Sequence, residues 1–153
     1  MNDLDLDKFP LLAPLTDAER DAVADELEVF ELEPGVTLFR EGEAANGAWF
    51  VVAGRVRVDA GRVGIGAEIG PGEVLGALSL VLDGSREVTA ETRSKAHLWH
   101  LGRSGFRRLV EAEPAAACRL LEGIVSECAG AARRDAAGVR SSAPPVDPET
   151  CND

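Results

Sequence analysis

Apolar positions along the chain change their spacing twice. Thr16 followed by Glu19 has the form of a capping box. Behind it, Ala18 to Leu27 reads as a short helix with Ala22, Val23 and Leu27 on one face. From Val29 to Leu101 the pattern shortens to β-branched and aromatic runs. These are Val29–Leu32, Val36–Phe39, Ala48–Ala53, Val56–Val58, Val63–Ile69, Val88–Thr92 and Ala96–Leu101. Glycine turns separate most of them, at Pro34-Gly35, Glu41-Gly42-Glu43, Ala53-Gly54-Arg55, Ala60-Gly61 and Pro71-Gly72. Short strands at close, regular spacing predict an antiparallel sandwich or barrel of about eight strands.

After Gly102 the spacing is helical again. Ser104 is placed to cap a helix over Gly105–Ala112, and Pro114 interrupts and restarts it at a first helical position. A second helix is expected from about Ala115 to Arg134. Along it Ala117, Leu121, Ile124, Cys128 and Ala131 follow alternating steps of four and three, a narrow seam of the coiled-coil kind. Residues 1–8 read as a flexible acidic arm and residues 136–153, rich in Gly, Ser, Pro and Asp, as a disordered tail. Residues 9–135 then form one domain including its C-terminal helices, with no helix-turn-helix segment after the last helix.

Charge narrows the partners. The 153 residues carry 27 acids and 16 bases, a net charge of -11. Such a chain repels phosphate backbones, so no nucleic-acid partner is expected. Residues 1 to 33 hold 11 acids and two bases, which leaves the rest near neutrality and able to build a local anion site. No apolar run approaches the roughly 20 residues of a membrane span, so no membrane insertion is expected. The acidic N-terminus lacks signal-peptide features, and a cytoplasmic location is expected. Cys118, Cys128 and Cys151 form no CxxC and read as reduced thiols.

Several motifs dissolve on inspection. Gly64, Gly66 and Gly70 do not have GxGxxG spacing, and no helix follows them. Asp3, Asp5 and Asp7 begin like a calcium loop, but Lys8 holds its glycine position and Pro14 its terminal glutamate. His97 and His100, three apart on a strand, point to opposite faces, so no metal is expected. No GxSxG or HExxH is present, and nothing assembles a nucleophile, base and oxyanion site. The chain is therefore expected not to be an enzyme.

The order helix, β-roll, two helices, with several local phrases, resembles the cyclic-nucleotide-binding domain of the catabolite activator protein family. The phrases are Phe9-Pro10-Leu11-Leu12 through Thr16, Glu33-Pro34-Gly35 through Glu43, Trp49 through Val58, Ile69-Gly70-Pro71-Gly72-Glu73-Val74-Leu75-Gly76, and Phe106 to Glu127. The resemblance implies a mainly β fold with flanking helices, a double-stranded β-helix or jelly roll followed by two C-terminal helices. It also implies a role in signal transduction, and a homodimer through the long helix. In that family a short cassette takes the cyclic phosphate on backbone N–H groups and an arginine, while a glutamate accepts from the ribose 2′-hydroxyl.

The matching cassette here comprises Gly76, Ala77, Leu78, Ser79, Ser85, Arg86 and Glu87. Gly76 and Arg86 keep the pattern. Ala77 replaces the ribose glutamate, removing a hydrogen bond worth about 0.5–1.5 kcal/mol, or roughly 3 if the partner is charged. Glu87 replaces a small residue. At about 4 Å and an effective dielectric constant near 20, its carboxylate would cost a phosphate roughly 4 kcal/mol. A micromolar complex holds only about 8 kcal/mol in all. Two readings follow. In the first, Glu87 pairs with Arg86, the pocket is degenerate, and the chain is a non-enzymatic regulatory module contacting an unidentified protein partner. In the second, Gly76, Arg86 and the N–H groups of Leu78 and Ser79 hold cyclic AMP or cyclic GMP in a genuine sensor. No other cofactor is implied.

Overall fold

The computed structural model describes residues 6–61 and 65–142, with side chains for 6, 8–61 and 66–129. Among them eight strands pair antiparallel in two four-stranded sheets. They are β1 (Glu28–Leu32), β2 (Thr37–Phe39), β3 (Ala48–Ala53), β4 (Val56–Ala60), β5 (Ile65–Ile69), β6 (Val74–Leu75), β7 (Thr89–Thr92) and β8 (Ala96–Leu101). One sheet runs β1-β8-β3-β6 and the other β2-β7-β4-β5, the expected jelly roll. All seven predicted runs contain a strand. The two-residue β6, paired to Trp49 and Phe50 of β3, was not expected, because two residues carry no period.

The central strands β3 and β8 of the first sheet bury apolar residues on both faces, which explains why Ala48–Ala53 and Ala96–Leu101 read as nearly unbroken apolar runs. Val51, Ala96 and Leu98 face the interior of the roll with Phe39, Val56, Leu75 and Ala90. Ala48, Phe50, Trp99 and Leu101 face a helical layer. That layer holds α1 (Asp17–Ala24), α2 (Arg103–Ala112), α3 (Pro114–Ser142) and a 3-10 turn at Pro10–Leu12. Phe9 joins sheet to helices, its ring edge-on to Phe50 at 5.2 Å and 5.7 Å from Trp99.

The capping box at Thr16 forms as expected, with Glu19 N–H donating to Thr16 Oγ1 and Thr16 N–H to Glu19 Oε1. Other local expectations are corrected. Leu6 is buried and Leu6–Lys8 form a 3-10 turn, so the arm does not extend to residue 8; the acidic neighbours hid one core leucine. Ser104 caps nothing, because α2 begins two residues earlier, at Arg103 behind Gly102. α3 begins at Pro114 as expected but runs to Ser142, beyond Arg134 and across the first residues assigned to the tail. Residues 1–5, Gly64 and the tail from 143, with Cys151, lie outside the described residues.

The seam on α3 also shifts. Ala117 and Ile124 are core residues, packed beside Ala116 and Leu120. Leu121 and Cys128 are half-buried at the margin, and the Ala131 side chain lies outside those described. The face that packs is set by Gly123, which lets α3 ride directly on the Leu11 backbone. The exposed face carries Cys118 and Val125, with 66% of Val125 accessible. Among the described residues no helix is long and apolar enough to cross a membrane.

Candidate functional site

Arg86 stands just before β7, on a segment pinned to the loop after β2. Its N–H donates to Glu43 O at 2.7 Å, its carbonyl accepts from Gly42 N–H at 2.8 Å, and Ala45 N–H donates to Gly84 O at 2.9 Å. The side chain enters the roll beneath Gly76. Only 7% of the residue is accessible. The guanidinium lies over the Phe39 ring, 4.2 Å from its centroid, a cation–π contact. Nη2 donates to Gly47 O at 3.1 Å and Nη1 to Ser79 Oγ at 3.3 Å. Nε is buried without a partner.

No carboxylate pairs with this cation among the described residues. Burial therefore pushes the Arg86 pKa down, and the field of Glu43 offsets part of the shift. An arginine keeps its charge even so. The expected Arg86–Glu87 pair does not form: Glu87 is exposed, while the guanidinium turns inward to Ser79 and Gly47. The hydrogen bonds from Nη1 and Nη2 hold the guanidinium inside, away from the exposed Glu87.

Arg86 opens onto a cavity of about 760 Å³. All seven cassette residues line it, from Gly76, Ala77, Leu78 and Ser79 on one wall to Ser85, Arg86 and Glu87 on another. Gly76 is left-handed, with φ of 72°, and heads the 3-10 turn Ala77–Leu80, which Leu80 anchors in the core. A Cβ on Gly76 would collide with Arg86 Nη1, so glycine is needed for the arginine to pass under the turn. The Ser79 N–H is engaged inside the turn, donating to Gly76 O at 2.9 Å, and so does not point freely into the cavity as expected. Ala77 brings no polar side-chain atom. Leu78 and Leu82 leave an apolar rim, each at least 47% accessible.

Phe39, Gly47, Glu127 and Cys128 complete the setting and were not expected. Phe39 and Gly47 read as strand and turn residues, and Glu127 and Cys128 reach the cavity only because α3 folds back over it. The loop at 82–84 is tied to α2 by an ion pair between Asp83 and Arg103. That hydrogen-bonded guanidinium holds the Asp83 carboxyl below its ordinary range. His97 and His100 diverge as expected, one ring edge-on to Trp99 and the other against Trp49. No cluster of potential metal ligands occurs among the described residues.

A family model described as the cyclic nucleotide-binding domain matches residues 29–113. The chain belongs to this family. Like other cyclic nucleotide-binding domains, it has relatives among regulators. It is 33% identical over 106 residues to a cAMP-dependent protein kinase regulatory subunit of Yarrowia lipolytica, spanning 69% of this chain and 28% of that one. The N-terminal domain of a transcriptional regulator from Streptomyces coelicolor A3(2) superposes with a TM-score of 0.70 at 27% identity, over 80% of this chain and 90% of that one. The catabolite activator protein of Thermus thermophilus, at 23% identity, shares the fold with a TM-score of 0.70 over 86% of this chain and 63% of that one. The chain spans about a quarter to half the length of these curated relatives.

Proposed function

We propose that this cyclic nucleotide-binding domain is a non-enzymatic regulatory module that takes a cyclic nucleotide in the Arg86 cavity. One observation carries the reading: a buried guanidinium with no carboxylate partner among the described residues, and an unpaired Nε, faces an open cavity. An uncompensated buried charge is costly, and an anion removes the cost. The phosphate would meet Arg86 and displace the weak 3.3 Å contact to Ser79. Glu87 lines the same cavity but is exposed, so water screens its carboxylate. Ala77 gives the ribose no acceptor, so the ligand is held mainly by its phosphate and by the apolar rim.

Isothermal titration with cyclic AMP and cyclic GMP tests this. Binding in the micromolar range, abolished by Arg86→Ala, is expected; affinity surviving that substitution refutes the mechanism. The lack of a ribose acceptor at Ala77 and the exposed Leu78 and Leu82 at the rim favour a second reading, in which the site no longer binds a nucleotide and the rim meets a protein partner. Silence in both titrations selects it. The homodimer is proposed on the face of α3 that carries the exposed Cys118 and Val125 and the half-buried Leu121 of the expected seam. Sedimentation of Val125→Glu checks it, with a shift to monomer expected.

A further inference from the structure

Two free thiols stand on α3 in different settings. Cys128 is half-buried and lines the Arg86 cavity, whereas Cys118 is exposed and lies outside it. They cannot pair with each other within the helix. At a rise of about 1.5 Å per residue their Cα atoms stand roughly 15 Å apart, more than twice what a disulfide spans. A disulfide at Cys128 therefore takes its second sulfur from elsewhere. The cavity sets what that sulfur brings with it. Among the described residues lining it, Arg86 alone is basic; it is 7% accessible, and its Nε is buried with no partner. The carboxylates on the walls do not answer this cation. Glu73 Oε2 accepts from Gly70 N–H at 2.6 Å, Asp83 pairs with Arg103, and Glu87 and Glu127 are exposed. At about 760 Å³ the cavity has room for a whole small molecule, one end at the thiol and an anionic end at the guanidinium.

We propose that Cys128 is a thiol-modification site for low-molecular-weight disulfides that carry a carboxylate, with Arg86 receiving that carboxylate. This rests on the reading that the cavity takes an anion. The step is thiol–disulfide exchange. Cys128 loses its proton to solvent, and its thiolate attacks one sulfur of the reagent. The new S–S bond forms as the old one breaks, and the departing thiolate takes up a proton. Cys128 is oxidised and the departing half is reduced, so no further oxidant enters. The half left on Cys128 sets its carboxylate against Arg86 and fills the cavity. Modification and cyclic nucleotide binding then exclude each other, and the redox state of one thiol controls access to the site.

The test compares two aromatic disulfides on the full chain, the anionic dithiobis(nitrobenzoate) and the uncharged dithiodipyridine. Peptide mass spectrometry reads the rate at each cysteine. Comparing the anionic-to-neutral rate ratio between thiols cancels both their accessibility and the reagents' own reactivity. The ratio at Cys128 is expected about tenfold above that at Cys118, the lower end of what a focused charge adds to an encounter rate. Arg86→Gln brings it down to the Cys118 value, and Arg86→Lys, which keeps a charge, retains it. In the wild type, excess inorganic phosphate lowers the Cys128 ratio relative to chloride at equal ionic strength, a readout independent of how any variant folds. Equal ratios at the two thiols overturn the proposal, and so does a Cys128 ratio that Arg86→Gln and phosphate both leave unchanged. Protein carrying glutathione on Cys128, made with oxidised glutathione, is expected to lose cyclic AMP and cyclic GMP binding and to regain it on reduction. Binding that persists in the modified protein refutes the exclusion. If neither nucleotide binds the unmodified protein while the Cys128 ratio stays high, the nucleotide reading falls and the modification site stands. If a nucleotide binds through Arg86 and the ratio is not raised, the modification site alone falls.

Discussion

Replacing Gly123 by alanine sets two physical effects against each other. Gly123 sits inside α3, where alanine is favoured over glycine by about 0.8–1.0 kcal/mol. Propensity alone therefore predicts a more stable protein. The packing predicts the reverse. A Cβ at this position would stand 3.0 Å from Leu11 C and 3.4 Å from Leu11 Cα, and inside contact distance of Leu11 O. Carbon atoms prefer about 3.5–4.0 Å. Every atom in the way belongs to the backbone, so no rotamer change relieves the clash. α3 or the Pro10–Leu12 turn must retreat, which loosens Ala116, Leu120 and Ile124 against the core. Overpacking of this kind costs about 1–3 kcal/mol, and a backbone obstacle places it in the upper part of that range. The net expectation is destabilisation of about 1–2 kcal/mol. For a domain of this size that lowers the melting temperature by roughly 3–6 °C. Thermal and urea unfolding followed by circular dichroism measure it, with the urea midpoint falling at unchanged slope. A melting temperature that rises would refute the close approach of α3 to Leu11. Gly123→Ser sharpens the comparison, because serine lacks alanine's propensity advantage and should be worse.

Three further outcomes are expected. Thr92 is 1% accessible; its hydroxyl donates to Glu33 O at 2.7 Å and accepts from Val36 N–H at 2.8 Å, so it pins the turn between β1 and β2. Thr92→Val strands both groups and should cost about 2 kcal/mol in urea unfolding. Gly76→Ala meets a left-handed backbone, at roughly 1–2 kcal/mol, and collides with Arg86 Nη1. Titration should show cyclic nucleotide binding lost while the melting temperature drops only a few degrees. Asp83 has a folded-state pKa below its unfolded value because of Arg103, so its contribution is present above the ordinary carboxylate pKa of about 3.9 and lost as pH falls through the lowered value. The stability gap between wild type and Asp83→Asn should therefore narrow on acidification below about pH 4 at low salt; a gap constant from pH 7 to pH 2 would show that the pair does not form.

The residues alone determined a good deal. β-branched runs between turns announced the roll, since strand length and turn chemistry are local properties. Thr16 and Glu19 announced α1 for the same reason. Gly76 and Arg86 marked the candidate cassette through their resemblance to the family's pattern of a bare backbone beside a cation. What stayed hidden depends on approach between distant segments. Leu6 looks solvated among aspartates until the helical layer covers it. The inner face of α3 follows from one glycine meeting the Leu11 carbonyl, a contact no helical period encodes. The partners of Arg86 were hidden too, because Glu87 adjoins it in the chain and lines the same cavity but does not pair with its guanidinium. Its partners, Gly47 and Phe39, lie 39 and 47 positions earlier, and only folding brings them to the guanidinium. Local sequence specifies which elements form; the direction each charged side chain takes is decided by the packing around it.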